Sequence, residues 1–531
     1  MKQNHRVSWL KALLLTLLSA AVAYPLLRLL LHIRPAHIRE VLSAELFFPM
    51  LKNSLLTTLI ATGLSVVLAF LLAFGLCRSH VKFKPMWVML FTVPMLIPSI
   101  SHGMGLVLLL GDNGVLTKLL GINIGLYGYP GIVMGSVLYS FPVAFLLFYD
   151  SLQYEDFTLY ESARVLGFGS WKQFLTITLP AVRPAGVAAG ISVFAMVFTD
   201  YGVPLITGGT VMTLPVYMYR EVIGMMNFSG GTVVGVILLT PAVLAFLLDV
   251  RRSSADRGSS TVVKPYEIQA DPRRDRWVFI GFTVILVVLC LPILAFACLT
   301  FVRQFPVDPT FTTAHVRKLI SGGIGMYLLN SLAVAMATAL LGTVLAYCSA
   351  YLTARTARTA STKLLHMLSL LPLAIPGIVL GLSYVISFHQ LPFYTTIAIL
   401  IAVNITHFFS SPYLLAYNSL IKFNPNLEDV AASLKIPPLR MMTAVYVPST
   451  VLTVVEMYSY FFVNSMITIS AVSFLANFRT STLALMIPQL EAQSFIEGTA
   501  FVSLLILALN LLEKGIAYAI KRRLLNQPIR P

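Results

Sequence analysis

Ionisable side chains inside long apolar stretches of this sequence include His102, Asp200, His407, Glu456 and Glu513. A charge so placed is costly unless it bonds to a neighbouring helix or meets a polar solute. His407 has Asn404 and Thr406 beside it, and His102, His407 and Glu513 read as hydrogen-bonding groups between helices. Asp200 and Glu456 admit both uses. With Asn464, Ser465 and Thr468 they make a candidate pathway lining, where a carboxylate meets an ammonium group and hydroxyls and amides donate to an anionic one. No Ser-His-Asp set, paired carboxylates or metal-ligand spacing accompanies them, so neither catalysis nor a resident metal is expected. The four cysteines, Cys77, Cys290, Cys298 and Cys348, show no CxxC spacing and read as packing residues. No Gly-x-x-x-x-Gly-Lys-Ser/Thr sequence occurs, so the chain does not itself cradle ATP phosphates.

The elements that hold these groups are membrane helices. Hydrophobic residues fill 57% of the 531 positions and charged residues 11%, and the mean hydropathy is +0.84. A soluble chain of this length needs far more polar surface, and several apolar runs reach the ~20 residues that cross a bilayer core. The expected fold class is an all-α integral membrane protein. The formal net charge is +16, yet the basic residues fall in short loops between apolar runs. There they act as topology determinants, and no nucleic-acid surface is expected. The N-terminus, with Lys2, His5, Arg6 and Lys11 ahead of apolar residues to about Leu31, has the outline of a signal peptide, and Ala21-Val22-Ala23 offers a cleavage-like triplet. The apolar run continues past that triplet and completes a repeat, so an uncleaved first helix is expected.

Apolar segments fall near 10–31, 52–76, 86–111, 130–149, 183–206 and 232–249, and again near 277–302, 327–353, 364–388, 393–417, 449–474 and 498–520. The expectation is 12 transmembrane helices as two parallel six-helix repeats, 1–250 and 277–531, joined by a polar linker at 251–276 that includes Arg251, Arg257 and Lys264. Basic loops after the second helix of each set (Arg78, Lys82, Lys84; Arg355, Arg358, Lys363), with the basic linker and both basic ends, place the two termini in the cytoplasm. The loop with Arg28, Arg34 and Arg39 goes against that rule.

The halves match position by position. Asn53-Ser54-Leu55 recurs as Asn330-Ser331-Leu332, and Arg78 as Arg355, 277 residues on; Pro94, Pro98 and Gly103 recur as Pro372, Pro376 and Gly381, 278 on. Tyr149, Ser151 and Leu152 recur as Tyr417, Ser419 and Leu420, 268 on, the change of offset falling in a Gly-rich stretch from Gly111 to Gly131.

Each half also carries a polar loop between its fourth and fifth segments, at about 152–180 and 420–448. The first holds Glu161-Ser162-Ala163-Arg164-Val165-Leu166-Gly167 and closes at Leu179-Pro180; the second holds Asp429-Val430-Ala431-Ala432-Ser433-Leu434-Lys435 and closes at Val447-Pro448. Glu161 to Pro180 and Asp429 to Pro448 are both 19 residues. An acidic group suits a helix N-terminal end, alanine allows close packing, a glycine permits a sharp exit, and proline opens the next helix. Lys435 stands where the first copy has Gly167, and Pro437-Pro438 follows, so the second loop is expected to leave its helix differently.

These paired loops resemble the coupling loops of ABC importer permeases of the type I, binding-protein-dependent kind, here in a fused two-domain form. The resemblance implies that Glu161, Ala163, Gly167, Asp429, Ala431 and Lys435 couple to two copies of a cytoplasmic ATP-binding subunit. ATP and Mg would be bound by those subunits, with no cofactor on this chain. It further implies a periplasmic or extracellular solute-binding protein as partner, a lipid environment, and a bacterial inner-membrane location. Phe198-Thr199-Asp200-Tyr201-Gly202-Val203-Pro204-Leu205 and Gly208-Gly209 resemble the ferric-iron and aminoethylphosphonate branch. Phe462-Val463-Asn464-Ser465-Met466-Ile467-Thr468-Ile469-Ser470-Ala471-Val472, Tyr219-Arg220-Glu221 and Asp271-Pro272-Arg273 resemble fused 2-aminoethylphosphonate permeases, which makes that solute the first expectation. Ferric iron, thiamine or a polyamine is the alternative within the family. A proton-coupled secondary transporter is the alternative from another class, with the paired loops against it.

Overall fold

The computed structural model describes residues 2–253, 264–304, 307–357 and 359–526. Of the expected linker, 254–263 lies outside the described residues and Arg257 with it; so does Arg358. The rest is almost wholly helical, with one short hairpin, Val302–Gln304 against Asp308–Phe311, which the sequence reading did not anticipate.

Among the described residues, 8 helices are long and apolar enough to cross a membrane, or up to 11 if three bent pairs each count as one span, against the 12 expected. Three of the expected spans are bent pairs, and the sixth, near 232–249, enters only as the shorter apolar helix Phe228–Val243. Pro94 and Pro372 each sit in a short 3-10 turn, Val93–Leu96 and Leu371–Ala374, and Pro98 and Pro376 each precede the next helix. Proline removes a backbone donor and clashes with the preceding turn, so these helices stop and restart. The Ala360–Ala374 and Gly377–Phe388 segments are bent by 113° and the Ile397–Phe408 and Ser410–Leu420 pair by 51°. The apolar run near 86–111 is likewise two helices, Lys84–Thr92 and Ser99–Leu110.

Contacts group the chain into two compact units. One comprises Ala44–Tyr217 and Leu244–Thr313; the other Met1–Ser43, Met218–Val243 and Ala314–Pro531. The first apolar helix of each sequence half therefore packs with the body of the other half. In the first unit, Pro292 in the Pro272–Thr300 helix lies where a Cβ on Gly105 would be, and Phe282 rests against Gly75. In the second, the Val7–His32 helix has a π-turn at Ser19–Ala23, and the Ala21 carbonyl there accepts a hydrogen bond from the Tyr384 hydroxyl at 2.9 Å.

Both units are built on a 32-residue helix with a stripe of small residues. In Phe47–Arg78, Ala61, Ser65, Ala69 and Ala73 recur every fourth position and are fully buried, and the Ser65 hydroxyl meets that of Ser140 in the Tyr129–Gln153 helix at 3.0 Å. In Ile324–Arg355 the stripe is Ala335, Ala339, Gly342, Ala346 and Ala350, and the Phe461 ring fills the space that a Gly342 Cβ would need. Small side chains let helix backbones approach closely in lipid, where dispersion replaces the hydrophobic drive.

The repeated Asn-Ser pair does the same work in each unit. Ser54 Oγ accepts from the Leu214 N–H at 2.8 Å and Ser331 Oγ from the Leu483 N–H at 2.7 Å. Asn53 Nδ2 donates to the Met212 carbonyl at 3.0 Å and Asn330 Nδ2 to the Ser481 carbonyl at 3.0 Å. Each pair satisfies the backbone of a segment returning after the fifth helix, where no water competes. Gly103 and Gly381 also match: a Cβ on Gly381 would press on the Ala471 carbonyl at 2.7 Å and one on Gly103 would touch that of Val203 at 3.4 Å, Val203 and Ala471 being themselves 268 apart.

Candidate functional site

The two polar loops fold alike. Thr158–Val165 is a short helix whose first turn is held by Asp156, which accepts from the Thr158 N–H at 3.0 Å. Leu427–Ser433 is its counterpart. Ala163 and Ala431 are buried, as close packing of that face requires. The first helix closes with Gly167 at φ +74° and bonds from the Gly167 N–H to the Arg164 carbonyl and the Phe168 N–H to the Ala163 carbonyl, both 2.9 Å. The second closes with Lys435 at φ +56°, the Lys435 N–H on Ala432 at 3.1 Å and the Ile436 N–H on Ala431 at 2.8 Å. The expectation that Lys435 sends its loop out differently is thus corrected: the two hydrogen bonds impose on lysine the left-handed conformation that glycine adopts freely. Each loop then enters its membrane helix through a π-turn, Phe174–Thr178 and Met442–Tyr446, 268 residues apart.

Behind each loop helix lies an arginine–carboxylate–hydroxyl latch that sequence reasoning missed. In the first, Arg78 at the end of Phe47–Arg78 pairs with Glu155, both buried; the Tyr160 hydroxyl lies 2.8 Å from Glu155 Oε1 and 2.6 Å from Thr178 Oγ1. In the second, Arg355 Nε and Nη2 grip Glu428 Oε1 and Oε2 at 2.7 and 2.5 Å, and the Tyr446 hydroxyl donates to Glu428 Oε1 at 2.5 Å. The parts are exchanged between the copies. Glu428 holds the position of Tyr160, Tyr446 that of Thr178, and Phe423 that of Glu155, its carbonyl accepting from Arg355 at 3.0 Å. The recurrence of Arg78 as Arg355 was the one signal of this in the sequence. Burial pushes the Tyr160 phenol pKa up, so it stays a neutral donor. Both latches tie a loop helix to the end of a 32-residue membrane helix.

The outward faces of the loops are apolar where solvent-facing residues are usually polar. Val165 is 89% exposed, and Leu166 and its counterpart Leu434 are 70% and 66% exposed, with Trp171 and Val430 also bare. Exposed apolar side chains grouped in this way suit contact with another protein or with the membrane interface. Glu161 bonds Lys264 Nζ at 2.6 Å, raising the lysine pKa through that hydrogen bond, while Asp429 is exposed.

Residues 65–251 match the family model of the binding-protein-dependent transport system inner membrane component. A molybdenum transport system permease, ModB of Haemophilus influenzae, is 30% identical over 29% of this chain and 71% of its own length. The chain belongs to this family. Two longer relatives are ferric transport system permeases named FbpB. That of Actinobacillus pleuropneumoniae is 24% identical over 90% of this chain and 72% of its own, and that of Haemophilus influenzae 24% over 83% and 72%. The permease is therefore a non-catalytic, multi-pass inner-membrane component of an ABC importer of type I, in a fused double-domain form, and its family works with an ATPase and a solute-binding protein. A proton-coupled secondary transporter is excluded.

The residues expected to line a pathway are in the two units of this permease separately. Asp200 follows the Leu179–Thr199 helix with an extended backbone, ψ +129°, and Thr468 follows Val451–Ile467 in the same way, ψ +134°. Asp200 is fully engaged: Oδ1 accepts from the Ser99 hydroxyl at 2.6 Å and Oδ2 from the Val203 N–H at 3.0 Å. Glu456 forms an ion pair with Lys521 at 2.7 Å, and Asn464 Nδ2 donates to the Tyr460 carbonyl of its own helix at 2.8 Å. Ser465 Oγ is buried without a hydrogen-bond partner among the described residues. Glu513 accepts from the Ser459 hydroxyl at 2.8 Å, the interhelical use expected of it.

Proposed function

We propose that this permease carries ferric iron inward across the bacterial inner membrane, driven by two copies of a cytoplasmic ATPase that dock on the loop helices. The reading of the solute rests on the ferric transport permeases, which align over 90% and 83% of the chain and so span both halves. The molybdenum, sulfate and spermidine/putrescine permeases align over 26% to 39%. That evidence favours ferric iron over 2-aminoethylphosphonate, the first expectation from the sequence.

Glu161, Ala163 and Gly167 in one loop, and Asp429, Ala431 and Lys435 in the other, shape the ATPase-docking helices. ATP-driven movement of each helix passes through its latch to the Phe47–Arg78 or Ile324–Arg355 helix and alternates access to the pathway. The latches support this, the first most strongly, because its charges are both buried and a paired charge in a dry site is strengthened. The basic residues around both loops favour a cytoplasmic side for them and for the two termini.

The test is uptake of radiolabelled ferric iron and of labelled 2-aminoethylphosphonate by cells that co-express permease, ATPase and binding protein. ATP-dependent iron uptake lost on deleting the permease gene is the expected result. Uptake of the phosphonate alone overturns the iron reading and leaves the importer standing.

A further inference from the structure

Between the two sequence halves, residues 264–269 lie along the first loop helix and are fixed to it at successive points. The Lys264 carbonyl accepts from the Phe157 N–H at 2.9 Å, and the Lys264 N–H donates to Asp156 Oδ1 at 3.3 Å. Asp156 and Pro265 form an antiparallel bridge. Lys264 Nζ bonds Glu161 on the helix itself. Tyr266 sets its ring edge-on to Phe157 and Tyr160, centroids 5.2 and 5.1 Å away, and the Arg78 guanidinium lies 3.5 Å from its centre. Further on, the Ile268 carbonyl meets His80 Nε2 at 3.0 Å.

A connector that only joins two domains is expected to be solvated and loose. This one caps the first latch. Its tyrosine lies over the Arg78 guanidinium, adding a cation–π contact at a buried ion pair, where a dry environment strengthens every charge interaction. Its backbone holds Asp156 and Phe157, the two residues from which the loop helix starts.

We infer that Lys264 and Tyr266 are positioning residues for the coupling step: the linker is a strap that clamps the first loop helix onto Arg78, so that ATPase movement reaches the Phe47–Arg78 helix undamped. The inference rests on the proposed docking of an ATPase at Thr158–Val165.

The experiment uses the whole importer in proteoliposomes and reads two quantities: ATPase retained on the permease, and stimulation of ATP hydrolysis by the loaded binding protein. With Tyr266→Ala, ATPase retention stays at the wild-type level while stimulation falls roughly 2- to 30-fold, the range for residues that carry coupling. Tyr266→Phe keeps the ring and keeps stimulation. In Asp156→Cys/Pro265→Cys/Tyr266→Ala, on a background with the four native cysteines replaced by serine, oxidation restores stimulation and reduction removes it. Residues opposed in an antiparallel bridge have Cα atoms ~4.5–5.5 Å apart, within reach of a disulfide. Each sample is its own control for folding. Unchanged stimulation in Tyr266→Ala, or no recovery on forming the cross-link, overturns the strap. Leu166→Asp separates the two readings, because retention of ATPase by that variant overturns docking at this loop whatever Tyr266 does.

Discussion

Lys435 occupies the same left-handed backbone conformation as Gly167, with φ +56° against +74°. For a residue with a Cβ that conformation costs about 1–2 kcal/mol, and the bonds from Lys435 and Ile436 back to Ala432 and Ala431 sustain it. Gly167→Ala is therefore expected to cost about 1–2 kcal/mol. Lys435→Gly is expected to be neutral or to gain at most about 1 kcal/mol, since glycine also loses more freedom on folding. Thermal melts of the purified permease measure both. Equal losses at the two positions would contradict the shared closure.

The latches differ in burial, and that sets an order. Arg78 and Glu155 side chains are 7% and 5% exposed, whereas Glu428 is 33% exposed beside Arg355 at 5%. Removing one member of a buried pair leaves an uncompensated charge and costs about 3–5 kcal/mol. Glu155→Gln should approach that figure, and Glu428→Gln should cost less because water already reaches Glu428 and the Phe423 and Asn424 carbonyls still accept from Arg355. Melting temperatures rank the two, and the reverse order would show that burial does not govern the latches.

How much of this was legible follows from what an offset can carry. Asn53-Ser54 and Asn330-Ser331 keep residue type and partner, so the duplication they announced is visible in their bonds to Leu214 and Leu483. The latches keep the arrangement but trade positions. Matching Glu161 to Asp429 therefore does not reveal the latches, whose carboxylates are Glu155 and Glu428. Hydropathy runs straight through Pro94-Pro98 and Pro372-Pro376, so the breaks in the backbone there have no sign in it beyond the prolines themselves. That the first helix of each half packs with the other half's body has no signature in either half alone.

A second exchange supports a rescue experiment. A Cβ on Gly202 would lie 2.6 Å from Ser99 Oγ, and one on Gly377 would lie 2.4 Å from Ser470 Oγ. Ser99 corresponds to Gly377 and Gly202 to Ser470, so each half keeps one serine and one glycine at the crossing, on opposite sides. Gly202→Ala should overpack this crossing and cost about 1–3 kcal/mol. Adding Ser99→Gly should recover part of that loss, limited by the hydrogen bond Ser99 gives Asp200. Additive losses in the double variant, read as folded yield and melting temperature, would refute direct contact.

The same bond decides what Asp200 does. Both of its oxygens are used inside its own unit, one by the Ser99 hydroxyl and one by the Val203 N–H, at the point where the fifth helix ends and Gly202–Thr207 begins. Asp200→Ala strands those donors, and each buried unsatisfied group costs about 1–3 kcal/mol. The loss should appear as reduced melting temperature and folded yield, with the half-saturating solute concentration unchanged in the protein that folds. Glu456→Gln should differ. Its ion pair with Lys521 joins side chains that are 48% and 29% exposed, and pairs of that kind contribute at most about 1 kcal/mol. Both melting and uptake should then stay near wild type. A rise in half-saturation for Asp200→Ala without loss of stability would instead put its carboxylate in contact with the solute.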